Sequence, residues 1–324
     1  MKKISQKTAE YLITFFCIIT LNFFIPRLMP GDPFTFLSSE EGSVIVTYSQ
    51  EQIERYKSYY GLDKPVLEQY MNYMMKLFRG DIGYSIYFNE SVVKLIVNRA
   101  VWTIPIVFVS IILSCFAGTV LGCLSAWYRN GCIDKILYFI MITFSEIPSF
   151  LVGVFFLFVL AAKLGWFPLS GGMSVFTQYD TPFLKILDIV YHAFLPVLTL
   201  SLARVGEFYL LSRNSMISVL SRDYMRTAAA KGLGNARILF RHALKNAILP
   251  IVTRIFLSLG AVFGGAILVE NVFYYPGLGR LMREAVMVRD YALIQGIFLF
   301  VAVTVLTMNL LADIIYRKLD PRVD

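Results

Sequence analysis

Charged side chains are scarce in this sequence: Asp, Glu, Lys and Arg make up 16% of its 324 residues, against roughly 25% in a typical soluble domain. Hydrophobic residues make up 57%, and the mean hydropathy is +0.64. A water-soluble domain of this length cannot bury so much apolar surface. The composition therefore excludes a soluble globular protein and predicts that lipid solvates much of the chain.

Histidine and cysteine, which supply most metal and redox sites, are few. The histidines are His192 and His242, and the sequence holds neither a His-Glu-x-x-His zinc motif nor a Gly-x-Ser-x-Gly nucleophile elbow. The four cysteines are scattered, without the spacing of a zinc site or a disulfide framework. Metal and triad catalysis are therefore not expected, and we predict no metal ligands.

A phosphate-binding loop is missing as well. Neither Lys135 nor Lys231 stands in a Gly-x-x-x-x-Gly-Lys-Ser/Thr arrangement, the loop whose backbone N–H groups cradle nucleotide phosphates. The chain is therefore expected to bind no cofactor and to hydrolyse no ATP by this route.

Basic residues outnumber acidic ones by 30 to 22, which gives a net charge of +8. In a soluble protein this excess would suggest nucleic acid, but in a chain of apolar runs it is typical of cytoplasmic loops rich in Lys and Arg. We therefore predict no nucleic-acid partner.

Apolar runs of about 20 residues are long enough to cross a bilayer as helices. Six such runs lie near residues 9–29, 101–126, 134–161, 192–212, 248–269 and 291–316. An even number places both termini on one side. Basic residues cluster at both ends of the chain: Lys2, Lys3, Lys7, Arg317, Lys318 and Arg322. The sequence thus predicts an all-α polytopic membrane protein with both termini in the cytoplasm.

These spans divide the chain into four parts. Residues 1–29 are expected to form an N-terminal tail and the first helix, and residues 30–100 a long extracytoplasmic loop. Residues 101–316 would then form a five-helix membrane domain that contains the cytoplasmic segment 213–247, and residues 317–324 a cytoplasmic tail.

The long outer loop carries apolar residues at helical spacing in two places, separated by Gly61 and Pro65. They are Ile53, Tyr56 and Tyr60, and then Val66, Tyr70, Tyr73, Met74 and Leu77. This pattern predicts two short amphipathic helices. Such helices either lie at the membrane surface with their aromatic faces towards lipid or form a docking floor for an extracytoplasmic partner.

Ionisable residues within the predicted spans are costly and therefore informative. Arg204 and Glu207 stand three residues apart on one helical face, so we interpret them as a pair that neutralises itself. Glu146, just before Pro148, either bonds a neighbouring helix or lines a polar path. Glycines four residues apart, Gly118 with Gly122 and Gly260 with Gly264, predict that the helices carrying them approach a neighbouring helix closely.

The cytoplasmic segment has an unusual pattern. Residues 213–247 contain one acidic residue, Asp223, and seven basic ones. The basic residues are Arg213, Arg222, Arg226, Lys231, Arg237, Arg241 and Lys245. An alanine-rich helix that starts at Asp223 is expected to stop at Gly232 and Gly234, and a second basic helix then leads into the fifth span. A short helix-turn-helix with small residues at its corner can insert into a groove of another protein.

This segment resembles the signature loop of the permease subunits of binding-protein-dependent ABC importers, whose Glu-Ala-Ala and Gly motif forms a coupling helix against the ATPase. Two departures stand out. Arg226 or Thr227 occupies the position of the Glu, and the stretch from Gly232 to Pro250 is longer than in sugar-type permeases. Both departures are usual in the peptide and nickel branch.

Motifs along nearly the whole chain resemble that branch, and specifically the first of its two permease subunits. They are Gly31-Asp32-Pro33, Gly80-Asp81-Ile82-Gly83-Tyr84-Ser85, Ile147-Pro148-Ser149-Phe150, Asp223-Tyr224, Ala230-Lys231-Gly232-Leu233, His242-Ala243-Leu244, Val269-Glu270-Asn271-Val272-Phe273, Pro276-Gly277-Leu278-Gly279 and Asp320-Pro321-Arg322. The resemblance implies the type I ABC importer permease fold.

The resemblance also implies a complex in a prokaryotic cytoplasmic membrane. A second, homologous permease would complete the pore, two cytoplasmic ATPases would bind ATP and magnesium, and an extracytoplasmic binding protein would deliver peptides. Nickel or a metal chelate is an alternative cargo. A self-contained secondary transporter or channel is the alternative of another class, which the few charges in the spans disfavour.

Three groups of site residues follow. Coupling to the ATPase is expected from Asp223, Tyr224, Ala228, Ala229, Ala230, Lys231, Gly232, Leu233, Gly234, Arg241 and His242. The candidates for the translocation path are Ser145, Glu146 and Glu207. A structural role on the extracytoplasmic side is expected for Gly31, Asp32, Pro33 and Glu270.

Overall fold

The computed structural model describes residues 2–28, 63–232, 234 and 237–319, together with the isolated residues 51, 54 and 58. The regular secondary structure of the described residues is helical apart from one antiparallel pair of two-residue strands, β1 (Tyr84–Ser85) and β2 (Glu90–Ser91). The helices are α1 (Lys2–Arg27), α2 (Val66–Phe78), α3 (Val92–Trp127), α4 (Cys132–Glu146), α5 (Ser149–Phe156, continued by a π-helical turn Leu157–Lys163), α6 (Pro182–Leu220), α7 (Asp223–Ala230), a second π-helical turn (Ile238–Ala243), α8 (Leu244–Val272), α9 (Leu278–Met287) and α10 (Tyr291–Leu319).

Six membrane crossings are present if each bent helix pair is taken as one span. Within the described residues, α1, α3, α6 and α10 are each long and apolar enough to cross a bilayer. The pair α4 and α5 is bent by 96°, and α8 is bent by 59° between Gly260 and Gly264. The all-α membrane fold is confirmed, but the third span is not one straight helix. Pro148, which lacks a backbone N–H, follows the end of α4 and precedes the first turn of α5.

Residues 1–101 and 280–306 form one of two compact units. In it α2 packs its aromatic side on α1: the ring of Phe23 lies 5.2 Å from that of Tyr70 and 5.4 Å from that of Tyr73. Of the two roles expected for this face, lipid contact is therefore wrong for Tyr70 and Tyr73, whose rings pack on α1. The exposed side of α2 instead carries Leu67, Met71, Met75 and Phe78. The other expected amphipathic helix, around Ile53 to Tyr60, lies outside the described residues except for positions 54 and 58.

Asp290 ties the strand pair of this unit to the start of α10. Its carboxylate accepts hydrogen bonds from Ser85 Oγ at 2.5 Å, from the Tyr87 N–H at 3.2 Å and from the Leu293 N–H at 3.1 Å. The last of these bonds is an N-terminal cap, which satisfies one of the free N–H groups at the start of a helix. The aspartate thus fixes where α10 begins.

The second unit comprises residues 102–279 and 307–324. A Cβ atom at Gly118 would come within 2.6 Å of Phe208 Cβ, and one at Gly122 within 2.6 Å of the Tyr209 carbonyl oxygen. These two glycines therefore let α3 approach α6, as predicted. At Gly264 an added Cβ would meet no described atom within 4 Å, so the second glycine pair shows no such contact at that position.

Candidate coupling and translocation sites

The segment for which a cytoplasmic location is predicted contains a corner between two helical stretches. Helix α7 ends at Ala230, where the Lys231 N–H donates to the Thr227 carbonyl at 3.1 Å, and Gly232 follows with φ of +72°. The chain re-enters helical structure with the Ile238 N–H bonded to the Gly234 carbonyl at 3.1 Å. A residue with a side chain rarely adopts the left-handed conformation of Gly232, so glycine is required there by the backbone itself.

Buried apolar side chains hold this corner against the rest of its unit. Met225 of α7 is 4% exposed and Ile238 of the π-helical turn is 6% exposed. Both belong to an apolar cluster with the ends of α3, α6 and the start of α8; its other members are Cys123, Ala126, Met216, Val219, Ala243 and Ala247. The corner is therefore a packed part of the fold, and its outer side is the part available to a partner.

The predicted coupling residues lie mostly on that outer side. Exposed among them are Asp223, Tyr224, Ala230, Lys231, Gly232, Gly234 and Arg241. Ala228 and Ala229 lie within α7 and His242 within the second π-helical turn, but their side chains fall outside the described residues, as does Leu233 altogether. We refer below to residues 223–234 as the coupling corner.

Arg213 was predicted to lie in the loop that follows the fourth span, but it lies within a helix. It lies within α6, which continues to Leu220, and its Nε and Nη2 atoms donate to the two oxygens of Asp134 at 2.8 Å each. Asp134 is 3% exposed and also accepts from the Ser125 hydroxyl and from the Asn130 N–H. Sequence reasoning counted Arg213 as a loop base and missed Asp134. The available signal was an aspartate in the first turn of an apolar span.

The three path candidates are not brought together as one set. Ser145 Oγ donates to the Met141 carbonyl at 2.8 Å, and both residues lie against Gly206 of α6, where a side chain would collide with them. Glu146 is exposed at the end of α4. Ser145 therefore marks a close contact between α4 and α6, whereas Glu146 stands at the break before Pro148.

Glu207 contacts two arginines, one of which the sequence did not single out. Its carboxylate lies 3.9 Å from Arg204 Nη1 on the same helix and forms a closer ion pair with Arg254 of α8. The side chains are 19% exposed for Arg204, 32% for Glu207 and 40% for Arg254. The pair that was expected to neutralise itself is thus a three-member group, named here the charge cluster.

Glu270 is completely buried at the end of α8. Thr103 Oγ1 donates to its Oε1 at 2.6 Å, and the Gly279 N–H donates to its Oε2 at 2.6 Å. The Leu278 N–H in turn donates to Thr103 Oγ1 at 2.8 Å. Glu270 therefore caps the start of α9, a geometry consistent with the structural role predicted for it.

A buried tyrosine lies close to Glu270. Tyr275, which follows α8, is 2% exposed, and burial raises the pKa of its phenol above the usual range, with the Glu270 carboxylate adding to the effect. The other residues for which an extracytoplasmic structural role is predicted, Gly31, Asp32 and Pro33, lie outside the described residues.

Known proteins resemble this chain over most of its length. Residues 118–324 match the family model described as "Binding-protein-dependent transport system inner membrane component". The oligopeptide transport system permease protein AppB of Bacillus subtilis (strain 168) is 35% identical over 308 residues, which cover 95% of this chain and 94% of that protein. The glutathione transport system permease protein GsiC of Escherichia coli (strain K12) is 32% identical over 310 residues, or 96% of this chain and 94% of that protein.

A solved structure shares the fold. A chain of the MetNI methionine ABC transporter in an inward-facing conformation superposes with a TM-score of 0.54 at 17% sequence identity, covering 70% of this chain and 97% of that chain. This similarity confirms the predicted type I permease fold. With the family match and the relatives above, it establishes that the chain is a multi-pass membrane protein of the binding-protein-dependent transport system inner membrane component family, the permease subunits of ABC importers.

Proposed function

We propose that this chain forms half of the translocation pathway of an ATP-driven importer of peptides, beside a second, homologous permease. Relatives of this chain are named as oligopeptide, peptide and glutathione permeases, and glutathione is itself a small peptide. An extracytoplasmic binding protein would deliver the peptide, and cytoplasmic ATPases would bind ATP and magnesium.

The observation that carries this proposal is the coupling corner. Its backbone is fixed from one side by the buried Met225 and Ile238, while the residues at its turn are exposed. A rigid, glycine-containing corner with a small-residue helix before it is suited to insertion into a cleft of another protein. A solvated loop would need neither the buried anchors nor the left-handed glycine.

The proposed topology follows from the same assignment. If the coupling corner meets the ATPases, it lies in the cytoplasm. The six crossings then place both termini in the cytoplasm as well, and the segment between α1 and α3 outside. The segment that contains α2 and the strand pair would then face the binding protein.

The test is reconstitution of the assembled importer. The chain would be co-expressed with its second permease, its ATPases and its binding protein, and the purified complex placed in proteoliposomes loaded with ATP. We expect accumulation of a labelled oligopeptide that requires both ATP and the binding protein. The matched control is a complex whose ATPase subunits lack the phosphate-binding lysine, which should assemble but not transport.

Two outcomes would contradict the proposal. Uptake by the isolated chain without ATPases would favour a secondary transporter or channel. ATP-dependent uptake of nickel or a metal chelate, with no uptake of peptides, would favour the alternative cargo.

A further inference from the structure

The charge cluster lies where ionised groups are expensive. Arg204 and Glu207 stand near the middle of α6, a helix of 39 residues, and Arg254 lies within the first straight part of α8. Helix α6 is long and apolar enough to cross a membrane by itself, and α8 is so when its two bent parts are taken as one span. Charged side chains at that depth cost several kcal/mol when they face hydrocarbon, and they therefore face a protein interior or a water-filled cavity.

The exposure of the cluster decides what kind of surface it occupies. Arg254 is 40% exposed and Glu207 32% exposed in the single chain. The ion pair between Asp134 and Arg213, by comparison, has side chains only 5% and 17% exposed. That pair is buried within the chain, whereas the charge cluster opens on a surface that cannot be lipid.

The cluster also has an excess of positive charge. Two guanidinium groups share one carboxylate, which leaves a net charge of +1 at neutral pH because arginine stays protonated. In addition, Arg254 Nε is buried and has no hydrogen-bond partner among the described residues. One turn further along α8, the Ser258 hydroxyl is likewise buried without a partner in the described chain. Both groups can donate a hydrogen bond, and neither has an acceptor among the described residues.

We propose that the charge cluster faces the translocation pathway and binds the carboxylate of a peptide in transit. This inference rests on the proposed function. A peptide with a free C-terminus carries one carboxylate whatever its sequence, and a guanidinium group recognises a carboxylate with paired N–H donors. Glu207 holds the two arginines in place and reduces their attraction to a single net charge, so that the site can release its ligand.

The test compares two forms of one labelled peptide without acidic side chains, one with a free C-terminal carboxylate and one amidated. The peptide is chosen so that the binding protein binds both forms, as checked by calorimetry. Uptake by the reconstituted complex is then measured for the wild type and for Arg254→Gln, Arg204→Gln, Glu207→Gln and Arg254→Lys. The binding protein is the same in every complex. Its own preference for one peptide form therefore cancels when the ratio of acid to amide uptake of each variant is divided by that of the wild type.

We expect Arg254→Gln or Arg204→Gln, each of which alone brings the cluster to zero net charge, to lower uptake of the free-acid peptide by about tenfold and to leave uptake of the amide unchanged. This factor corresponds to the loss of one charge-assisted hydrogen bond. Arg254→Lys should keep the preference for the acid. Glu207→Gln should increase the preference, a direction that a purely structural role does not produce.

Each remaining outcome overturns the inference. An equal decrease in uptake of both peptide forms in the glutamine variants would show that the cluster does not recognise the peptide carboxylate. Failure of both variants to assemble would show that it is a contact with the second permease or within the fold. If the wild-type complex takes up neither peptide, the proposed function fails and this inference fails with it.

Discussion

Gly232 is the position at which the coupling assignment can be tested most sharply. Its φ of +72° lies in the left-handed region, and a Cβ atom there would meet no described atom within 4 Å. A substitution therefore strains the backbone, and its Cβ collides with none of the residues that the structure describes. An additional loss of activity that grows with side-chain size would indicate a partner that covers the corner.

The size of the strain follows from the backbone alone. The left-handed conformation raises the free energy of a residue with a Cβ by roughly 1–2 kcal/mol. The cost is smaller for asparagine, because its side chain can form a local hydrogen bond. An energy of about 1–2 kcal/mol changes the ratio of two conformations by about 5–30-fold. Met225 before the turn and Ile238 after it are both buried, so we expect the strain to distort the turn and not to detach the whole segment.

The assay is peptide uptake and binding-protein-stimulated ATP hydrolysis by the reconstituted complex, with the amount of assembled complex held equal. We expect coupled activity to decrease in the order wild type, Gly232→Asn, Gly232→Ala and Gly232→Trp, with tryptophan adding bulk against the ATPase. Gly234→Ala isolates the strain, because Gly234 belongs to the same corner and is equally open but lies outside the left-handed region, so that alanine there adds a side chain without the strain. Unchanged coupled activity in Gly232→Trp would falsify the coupling role of this corner.

Three further predictions concern topology and the outer face. Cys132 is exposed and is the first residue of α4; in a chain that keeps only this cysteine, an impermeant thiol reagent applied to intact cells should leave it unmodified, and labelling from outside would refute the cytoplasmic assignment. Asp32→Ala should lower the amount of assembled complex more than it alters peptide preference, as measured by co-purification and competition uptake; the reverse pattern would count against a structural role. Thr103→Val should destabilise the purified complex by about 1–3 kcal/mol, because the buried Glu270 and the Leu278 N–H each lose a partner; thermal unfolding that matches the wild type would contradict the cap.

The features predicted from sequence are those that depend on local pattern. Long apolar runs gave the membrane helices, and the end of the alanine-rich helix before Gly232 followed from the conformational freedom of glycine. Gly118 and Gly122 allowed the close approach of α3 and α6 to be expected. In each case the physical cause acts over a short stretch of sequence, so the feature can be predicted from that stretch without knowledge of the fold.

The features that could not be predicted join residues distant in the chain. Arg254 stands alone in an apolar run, and only the packing of α8 on α6 brings it to Glu207. The aromatic side of α2 looked suited to lipid because the periodicity of Tyr70 and Tyr73 does not reveal that α1 offers Phe23 as a partner. The sharp bend at Pro148 was foreseeable as a kink, but not its angle of 96°.

The pairing of Asp134 with Arg213 belongs to this second group and leads to a prediction of its own. Removing one partner of a buried ion pair leaves an uncompensated charge and costs about 3–5 kcal/mol, whereas removing both costs far less. Asp134→Asn and Arg213→Gln should therefore each lower the thermal stability of the solubilised complex, and the double variant should be more stable than the sum of the two losses predicts. Lys135→Gln, an exposed neighbour in α4, is the control and should change little. Strictly additive losses in the double-mutant cycle would show that the two side chains do not stabilise one another, and that α6 is held at this point by the surrounding apolar contacts alone.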